Sequence, residues 1–157
     1  MVDKNLIGLM VATRNGDIKS VKHLIESGVD INALYCGWTA LLTASSNNHL
    51  EIVRYLADNG ANLDAVNKFG ETALINASNN GNFEMVKVLV ESGANLDCKD
   101  LLGYTALAIA KEKGHNEIVN FLIENGAMDT KTNKLSILEA IDKADKCKEN
   151  YKELKGE

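Results

Sequence analysis

Residues 70–97 read GETALINASNNGNFEMVKVLVESGANLD, and two further stretches of the chain repeat this pattern. One copy, GWTALLTASSNNHLEIVRYLADNGANLD, begins at Gly37, and the other, GYTALAIAKEKGHNEIVNFLIENGAMDT, begins at Gly103. The starting glycines Gly37, Gly70 and Gly103 are therefore 33 residues apart. A period of this length is typical of a solenoid, in which each repeat folds as one small unit and packs on its neighbours.

Two short helices are predicted in each unit. In the central copy the first helix begins at Thr72, whose hydroxyl can cap it, and ends near Gly81, which tolerates the left-handed conformation. The second helix is predicted over residues 82–92, because its apolar residues recur at helical spacing.

Loops rich in Asn and Asp join the units, and we call them finger 1 (residues 29–38), finger 2 (residues 61–71) and finger 3 (residues 94–104). Finger 1 is one residue shorter than the other two, and we expect this deletion to reshape its tip without disturbing the helices.

Both ends of the chain carry modified units. Residues 3–28 align with the central copy but lack the Gly-x-Thr opening, and Asp3 is predicted to cap their first helix. The apolar stretch at residues 6–12 falls into register with the repeat, so we interpret it as helix and not as a signal peptide. Near the other end, residues 136–139 form a capping box that predicts a further, polar helix. Atypical end units shield a solenoid from water.

Composition narrows the function. A chain of 157 residues is the size of one domain, and a net charge of −5 without a basic run argues against nucleic acid or anionic membranes as targets. Three scattered cysteines are too few for a disulfide framework or a zinc site, and an odd count fits a reducing compartment. Cys36 and Cys98 lie two units apart, so we expect free thiols and a cytoplasmic protein.

The sequence offers no arrangement of residues for catalysis. We find no nucleophile–base pair, carboxylate dyad, phosphate loop or metal-ligand spacing, and we predict no catalytic residue, metal or cofactor. His49 and His115 occupy the same repeat position at the start of a second helix, which favours a structural cap over a catalytic base. His23 is predicted to be a partly packed surface residue.

The repeated residues resemble those of ankyrin repeats: Gly-x-Thr-Ala-Leu, an Ala three residues on, Glu-(Ile/Met)-Val-x-x-Leu, and Gly-Ala-Asn-Leu-Asp. The resemblance is close over residues 37–126 and looser on either side. The Thr-Pro-Leu-His tetrapeptide common in the family is replaced here by TALL, TALI and TALA, which shifts the stabilising load toward apolar packing. The resemblance implies an all-α ankyrin-repeat solenoid of antiparallel helix pairs with β-turn or hairpin fingers.

We therefore predict a single domain over residues 1–157, with repeats at about 3–33, 34–66, 67–99 and 100–132 and a C-terminal cap at 133–157. We predict a monomer. The resemblance implies a module that binds an unidentified partner protein through its finger tips and the concave face formed by its first helices. A stand-alone regulatory inhibitor of an enzyme or transcription factor is the alternative. A small-ligand protein or enzyme would need convergent titratable groups.

The candidate binding residues are the ones that the repeat does not dictate. On the fingers they form a mainly aromatic and aliphatic row, which is typical of interface anchors, although neighbouring tips could instead pack on one another and bury it. On the first helices they are polar, and a merely solvated face is the alternative for each. The predicted set is Tyr35, Trp38, Phe69, Glu71, Leu101, Leu102 and Tyr104 on the fingers, with Ser46, Asn47, Asn79, Asn80 and Glu112 on the helices.

Overall fold

Eight α-helices make up the part of the protein that the computed structural model describes, residues 3–129. In chain order they are α1 (Lys4–Asn15), α2 (Ile18–Glu26), α3 (Ala40–Ser46), α4 (Leu50–Asp58), α5 (Ala73–Asn79), α6 (Phe83–Glu91), α7 (Ala106–Lys113) and α8 (Asn116–Glu124). Each odd-numbered helix packs against the even-numbered helix that follows it, so the helices form four consecutive pairs. The first helices contact one another along the stack, and so do the second helices. The result is a two-layered helical solenoid.

Side-chain caps fix where the first helices begin. The carboxylate of Asp3 accepts a hydrogen bond from the backbone N–H of Asn5, as the sequence predicts. The hydroxyls of Thr39, Thr72 and Thr105 accept from the N–H three residues on, at 3.2, 3.3 and 3.2 Å. These threonines are buried. Their caps form although the TALL, TALI and TALA tetrapeptides of this chain lack the histidine found in the family's Thr-Pro-Leu-His. A cap of this kind contributes about 1 kcal/mol.

The core runs between the layers as rows of equivalent residues. Leu9, Leu41, Leu74 and Leu107 are each 1% exposed, and each comes from the first helix of its unit. Second helices contribute Leu56, Leu89 and Leu122, which are fully buried. Burying a leucine side chain stabilises the fold by roughly 1.5–3 kcal/mol, so these rows hold each unit to the next.

A ladder of side-chain hydrogen bonds joins the bases of fingers 1, 2 and 3 to one another and to the segment that follows α8. The Oδ1 atoms of Asn32, Asp64 and Asp97 accept from the backbone N–H groups of Asn62, Asn95 and Met128, at 2.8, 2.8 and 2.9 Å. In each case the acceptor lies in one repeat and the donor in the next. Successive fingers are thereby held in register along the stack.

The eight helices predicted within residues 3–129 and their order are confirmed, and each of the four predicted repeats contains one helix pair. Cys36 and Cys98 are free thiols, as expected. The predicted C-terminal cap at residues 133–157, with its capping box at 136–139, lies outside the described residues. Within residues 3–129, no helix is both long and apolar enough to cross a membrane.

Candidate binding groove

The shortened finger 1 forms a β-hairpin whose turn consists of two residues. Tyr35 and Trp38 exchange both backbone hydrogen bonds, at 2.9 and 3.0 Å, and the two residues between them have positive φ angles, 52° for Cys36 and 79° for Gly37. Two left-handed residues in succession define a type I′ turn, which matches the twist of paired strands. The predicted reshaping of this tip is therefore confirmed. Its consequence is that Tyr35 and Trp38 lie side by side as an antiparallel bridge.

A groove of about 540 Å³ lies between this hairpin and the first helices of repeats one and two. Helix α1 contributes Ile7, Met10, Val11 and Arg14; finger 1 contributes Tyr35, Cys36 and Trp38; and helix α3 contributes Thr43, Ser46 and Asn47. We call this set the groove. Its volume is in the range of sites that take a side chain or a short segment of a ligand.

The lining of the groove is suited to binding. Apolar and aromatic side chains dominate its lining, and Val11 is 52% exposed although it is aliphatic. Thr43, Ser46 and Asn47 supply hydrogen-bonding groups on the α3 side, and Arg14 is the one charged lining residue. An apolar lining with a few polar groups is the usual composition of a recognition site.

Fingers 2 and 3 have a different tip. In finger 2 the Oδ1 atom of Asn67 accepts from the N–H groups of Phe69 and Glu71, and in finger 3 Asp100 accepts from Leu102 and Tyr104 in the same way. The side-chain amide of Asn67 also donates to the Glu71 carboxylate at 2.7 Å. These Asx turns span one residue more than the hairpin of finger 1.

The tips of fingers 2 and 3 are joined through their backbones. The N–H of Leu101 donates to the carbonyl oxygen of Phe69 at 3.0 Å, and Gly70 is buried beneath the contact. The side chains of Phe69 and Leu102 nevertheless remain 52% and 48% exposed. The two tips are therefore joined through their backbones, while the side chains of Phe69 and Leu102 remain about half exposed.

The predicted site residues fall into two groups. Four of them, Tyr35, Trp38, Ser46 and Asn47, come together in the groove. The other eight do not line it: Phe69, Leu101, Leu102, Asn79, Asn80 and Glu112 are exposed, and Glu71 and Tyr104 are partly buried. They continue along fingers 2 and 3 and the first helices of repeats three and four.

Sequence reasoning missed the apolar wall of the groove, which is formed by Ile7, Met10 and Val11. The residues equivalent to Val11 in repeats two and three are the polar Thr43 and Asn76. The signal for the apolar wall was therefore Val11, an aliphatic residue at a position that is polar in these two repeats. It was overlooked because the first repeat diverges from the others in sequence.

The histidine prediction was wrong in its mechanism. Neither His49 nor His115 makes a side-chain hydrogen bond to cap its helix. The His49 Nε2 atom lies instead 2.9 Å from the carbonyl oxygen of Arg14, and the His115 Nε2 atom 3.4 Å from that of Asn79. Each imidazole therefore ties its repeat to the end of the preceding first helix. His23, predicted to be partly packed, is exposed.

Two finger residues have shifted pKa values. Burial raises the pKa of Asp100, and the nearby Glu71 carboxylate adds to the effect, although hydrogen bonds from Tyr104 and Leu102 oppose it. Burial also raises the pKa of the Cys98 thiol, with the charges of Asp64 and Asp97 acting in the same direction. A raised thiol pKa disfavours the reactive thiolate. Neither group belongs to the groove.

The stacked helix pairs, and the fingers that join one pair to the next, define a helical-repeat solenoid. A sequence profile described as ankyrin repeats (3 copies) matches residues 9–100 and 59–135. The chain belongs to the ankyrin repeat family. Ankyrin repeats are generally protein–protein interaction modules without catalytic activity of their own.

Individual relatives match part of the chain. Ankyrin repeat domain-containing protein 40 from Mus musculus is 42% identical over 65 residues, which is 40% of this chain and 18% of the relative. The Homo sapiens protein of the same name gives the same identity and coverage. Ankyrin repeat, SAM and basic leucine zipper domain-containing protein 1 from Mus musculus is 44% identical over 52 residues, 32% of this chain and 11% of the relative. The chain thus spans less than a fifth of these curated relatives.

Proposed function

We propose that this protein binds a partner protein and seats a short segment of that partner in the groove of repeats one and two. The observation that carries the proposal is the composition of the groove: a hairpin that presents Tyr35 and Trp38 faces a helix that presents Ile7, Met10 and the half-exposed Val11. Aromatic and aliphatic side chains that surround a concave site are the usual anchors of protein recognition.

The remaining predicted residues extend this contact. Phe69, Leu101 and Leu102 form an exposed apolar row on fingers 2 and 3, and Asn79, Asn80 and Glu112 are exposed on the first helices. Such a surface beside an anchor site excludes water from the anchors. In the proposed mode the groove supplies most of the affinity and the other fingers orient the partner.

The proposal also specifies the oligomeric state, the cellular location and the absence of catalysis. It acts as a monomeric binding module in the cytoplasm, over a single domain of residues 1–157, and carries out no chemistry. Free thiols at Cys36 and Cys98 are compatible with a reducing compartment. The net charge of −5 disfavours nucleic acid and anionic membranes.

Affinity capture with matched variants tests the proposal. The wild-type protein, Trp38→Ala in the groove, Phe69→Ala on finger 2, and Ile123→Ala on the outer helix α8 serve as baits, and recovered proteins are quantified by mass spectrometry. We expect a partner that is recovered by wild type and Ile123→Ala, is reduced with Phe69→Ala, and is lost with Trp38→Ala.

Thermal melting of every bait controls for folding. The Trp38→Ala variant should melt close to wild type, because the hairpin is held by backbone hydrogen bonds that do not need the indole. Undiminished recovery by a folded Trp38→Ala variant contradicts the groove as the anchor. The alternative of an enzyme inhibitor differs in one respect: adding the protein to the purified partner would reduce the partner's activity.

A further inference from the structure

Arg14 gives the groove a single positive charge. It lies in the last turn of α1, and it is the only charged residue among those that line the groove. Its side chain is exposed and makes no salt bridge with the rest of residues 3–129, where the one ion pair joins Lys111 and Asp129. The guanidinium is therefore available to a ligand, beside an apolar wall.

The fold does not require arginine at this position. The equivalent residues in the other three repeats are Ser46, Asn79 and Glu112. In all four repeats the residue two positions further on has a positive φ. A cation in the last turn interacts favourably with the helix dipole, but any positive charge does this. The contact that holds residue 14 in the fold, from His49, involves its backbone carbonyl and leaves the guanidinium unused.

We infer that the groove selects a partner segment in which a bulky apolar residue stands next to an acidic one. The apolar side chain would pack among Ile7, Met10 and Trp38, and the carboxylate would pair with Arg14. Guanidinium and carboxylate form bidentate hydrogen bonds, and the apolar wall removes part of the competing water. This inference rests on the proposed function, since it specifies the occupant of the same groove.

The preference for an acidic residue is confined to the surroundings of Arg14, because the protein as a whole is negatively charged. With a net charge of −5, the molecule as a whole repels acidic segments, so Arg14 is the feature of the groove that can accept one. Acid recognition should therefore depend on this one side chain. Removing its charge should abolish the preference and leave the apolar contact intact.

Selection from a library of random peptides displayed on phage tests the inference. Immobilised wild type, Arg14→Gln, and the matched control Arg54→Gln are used as targets; Arg54 is the only other arginine and lies exposed on α4. We expect wild type and Arg54→Gln to enrich peptides with Asp or Glu beside a bulky apolar residue. Arg14→Gln should enrich the apolar residue without the acid.

Synthetic copies of an enriched peptide, acetylated and amidated, then measure the pairing. Emission from Trp38, the only tryptophan, reports on binding in the groove. Arg14→Gln should weaken binding roughly three- to fivefold, the effect of one partly solvated ion pair, and should have almost no effect on a peptide whose acid is changed to Gln. Arg14→Lys keeps the charge near the helix end and should recover part of the affinity.

The outcomes separate this inference from the proposed function. Peptides that shift Trp38 emission but show no acid preference would overturn the inference and support the groove. Preference for a free C-terminal carboxylate over an internal acid, seen by comparing acid and amide peptides, would also overturn it. Enriched peptides that bind equally to Trp38→Ala and leave Trp38 emission unchanged would overturn the proposed site itself.

Discussion

The imidazole of His49 lies against the end of the first helix of the preceding repeat at two points. Its Nε2 atom lies 2.9 Å from the carbonyl oxygen of Arg14, and a Cβ atom added to Gly16 would lie 2.8 Å from the same ring. The glycine thus has two functions, since it adopts a φ of 77° to end α1 and leaves room for a side chain of the next repeat. His115 and Gly81 repeat the relationship two units later.

Gly16→Ala should destabilise the protein more than Gly114→Ala. Both glycines are left-handed, with φ angles of 77° and 75°, but a Cβ at Gly114 meets nothing within 4 Å. Each alanine pays roughly 1–2 kcal/mol for the left-handed conformation, and at Gly16 the displaced His49 bond adds about 1 kcal/mol. Urea denaturation measures the difference. In a His49→Ala background the two substitutions should cost the same, and a persisting gap would show that the imidazole is not its cause.

How far the sequence predicts this fold depends on the range of each interaction. Thr72 caps a helix that begins at the next residue, and Leu74 is buried because it recurs in each unit; both facts can be deduced from local pattern. The bond from His49 to Arg14 joins residues 35 positions apart, and the bond from Asn62 to Asn32 joins residues 30 apart. Their geometry follows from the stacking of whole units, which residue types alone do not specify.

In the candidate site, too, some features can be deduced from the local sequence and others only from the stacking of the units. The deletion in finger 1 and its aromatic residues are visible in the sequence, and they led to Tyr35 and Trp38. The apolar wall from α1 was not predicted, because an apolar helix in a divergent first repeat looks like ordinary core. Only the fold shows that Val11 is exposed across from Trp38.

Gly70→Ala should loosen the contact between fingers 2 and 3. A Cβ at Gly70 would lie 2.8 Å from the backbone nitrogen of Leu101, and this atom cannot move without breaking its bond to Phe69. Gly37→Ala is the matched control, with a similar φ of 79° and nothing within 4 Å. We expect Gly70→Ala to cost about 1 kcal/mol more. Hydrogen exchange at the Leu101 amide should accelerate in this variant alone; unchanged protection would mean that the fingers are not coupled there.

Asn67 in finger 2 and Asp100 in finger 3 are equivalent hydrogen-bond acceptors. Replacing each by the residue type of the other should change the free energy of unfolding in opposite directions. Asp100→Asn keeps the Oδ1 acceptor that Asn67 uses at the equivalent position, but removes a carboxylate whose pKa is raised by burial and by Glu71. Asn67→Asp replaces the amide that donates to Glu71 with a second carboxylate. At neutral pH we expect Asp100→Asn to be neutral or slightly stabilising, and Asn67→Asp to cost roughly 1–2 kcal/mol.

The pH dependence gives a separate check on Asp100. Its pKa in the folded protein is raised above the ordinary value of 3.8, so the folded state binds the proton more tightly than the unfolded state. The contribution of Asp100 to the free energy of unfolding therefore falls as pH rises from below 3.8 through the raised folded pKa, and acidification restores it. Denaturation curves should show the advantage of Asp100→Asn growing over that interval. An advantage that is constant with pH would show that the carboxylate charge is not responsible.

Cys36→Asn should stabilise the hairpin of finger 1. Cys36 has a φ of 52°, and Asn followed by Gly is the strongly preferred pair for a type I′ turn. We expect a gain of about 0.5 kcal/mol in the free energy of unfolding, since asparagine adopts the left-handed conformation more easily than other L-residues. Cys98→Asn is the control, because it also removes a finger thiol but at a residue without positive φ. Urea midpoints measured under reducing conditions should rise for Cys36→Asn only. If both variants lose stability, the Cys36 side chain contributes packing in the groove that outweighs the strain of its backbone.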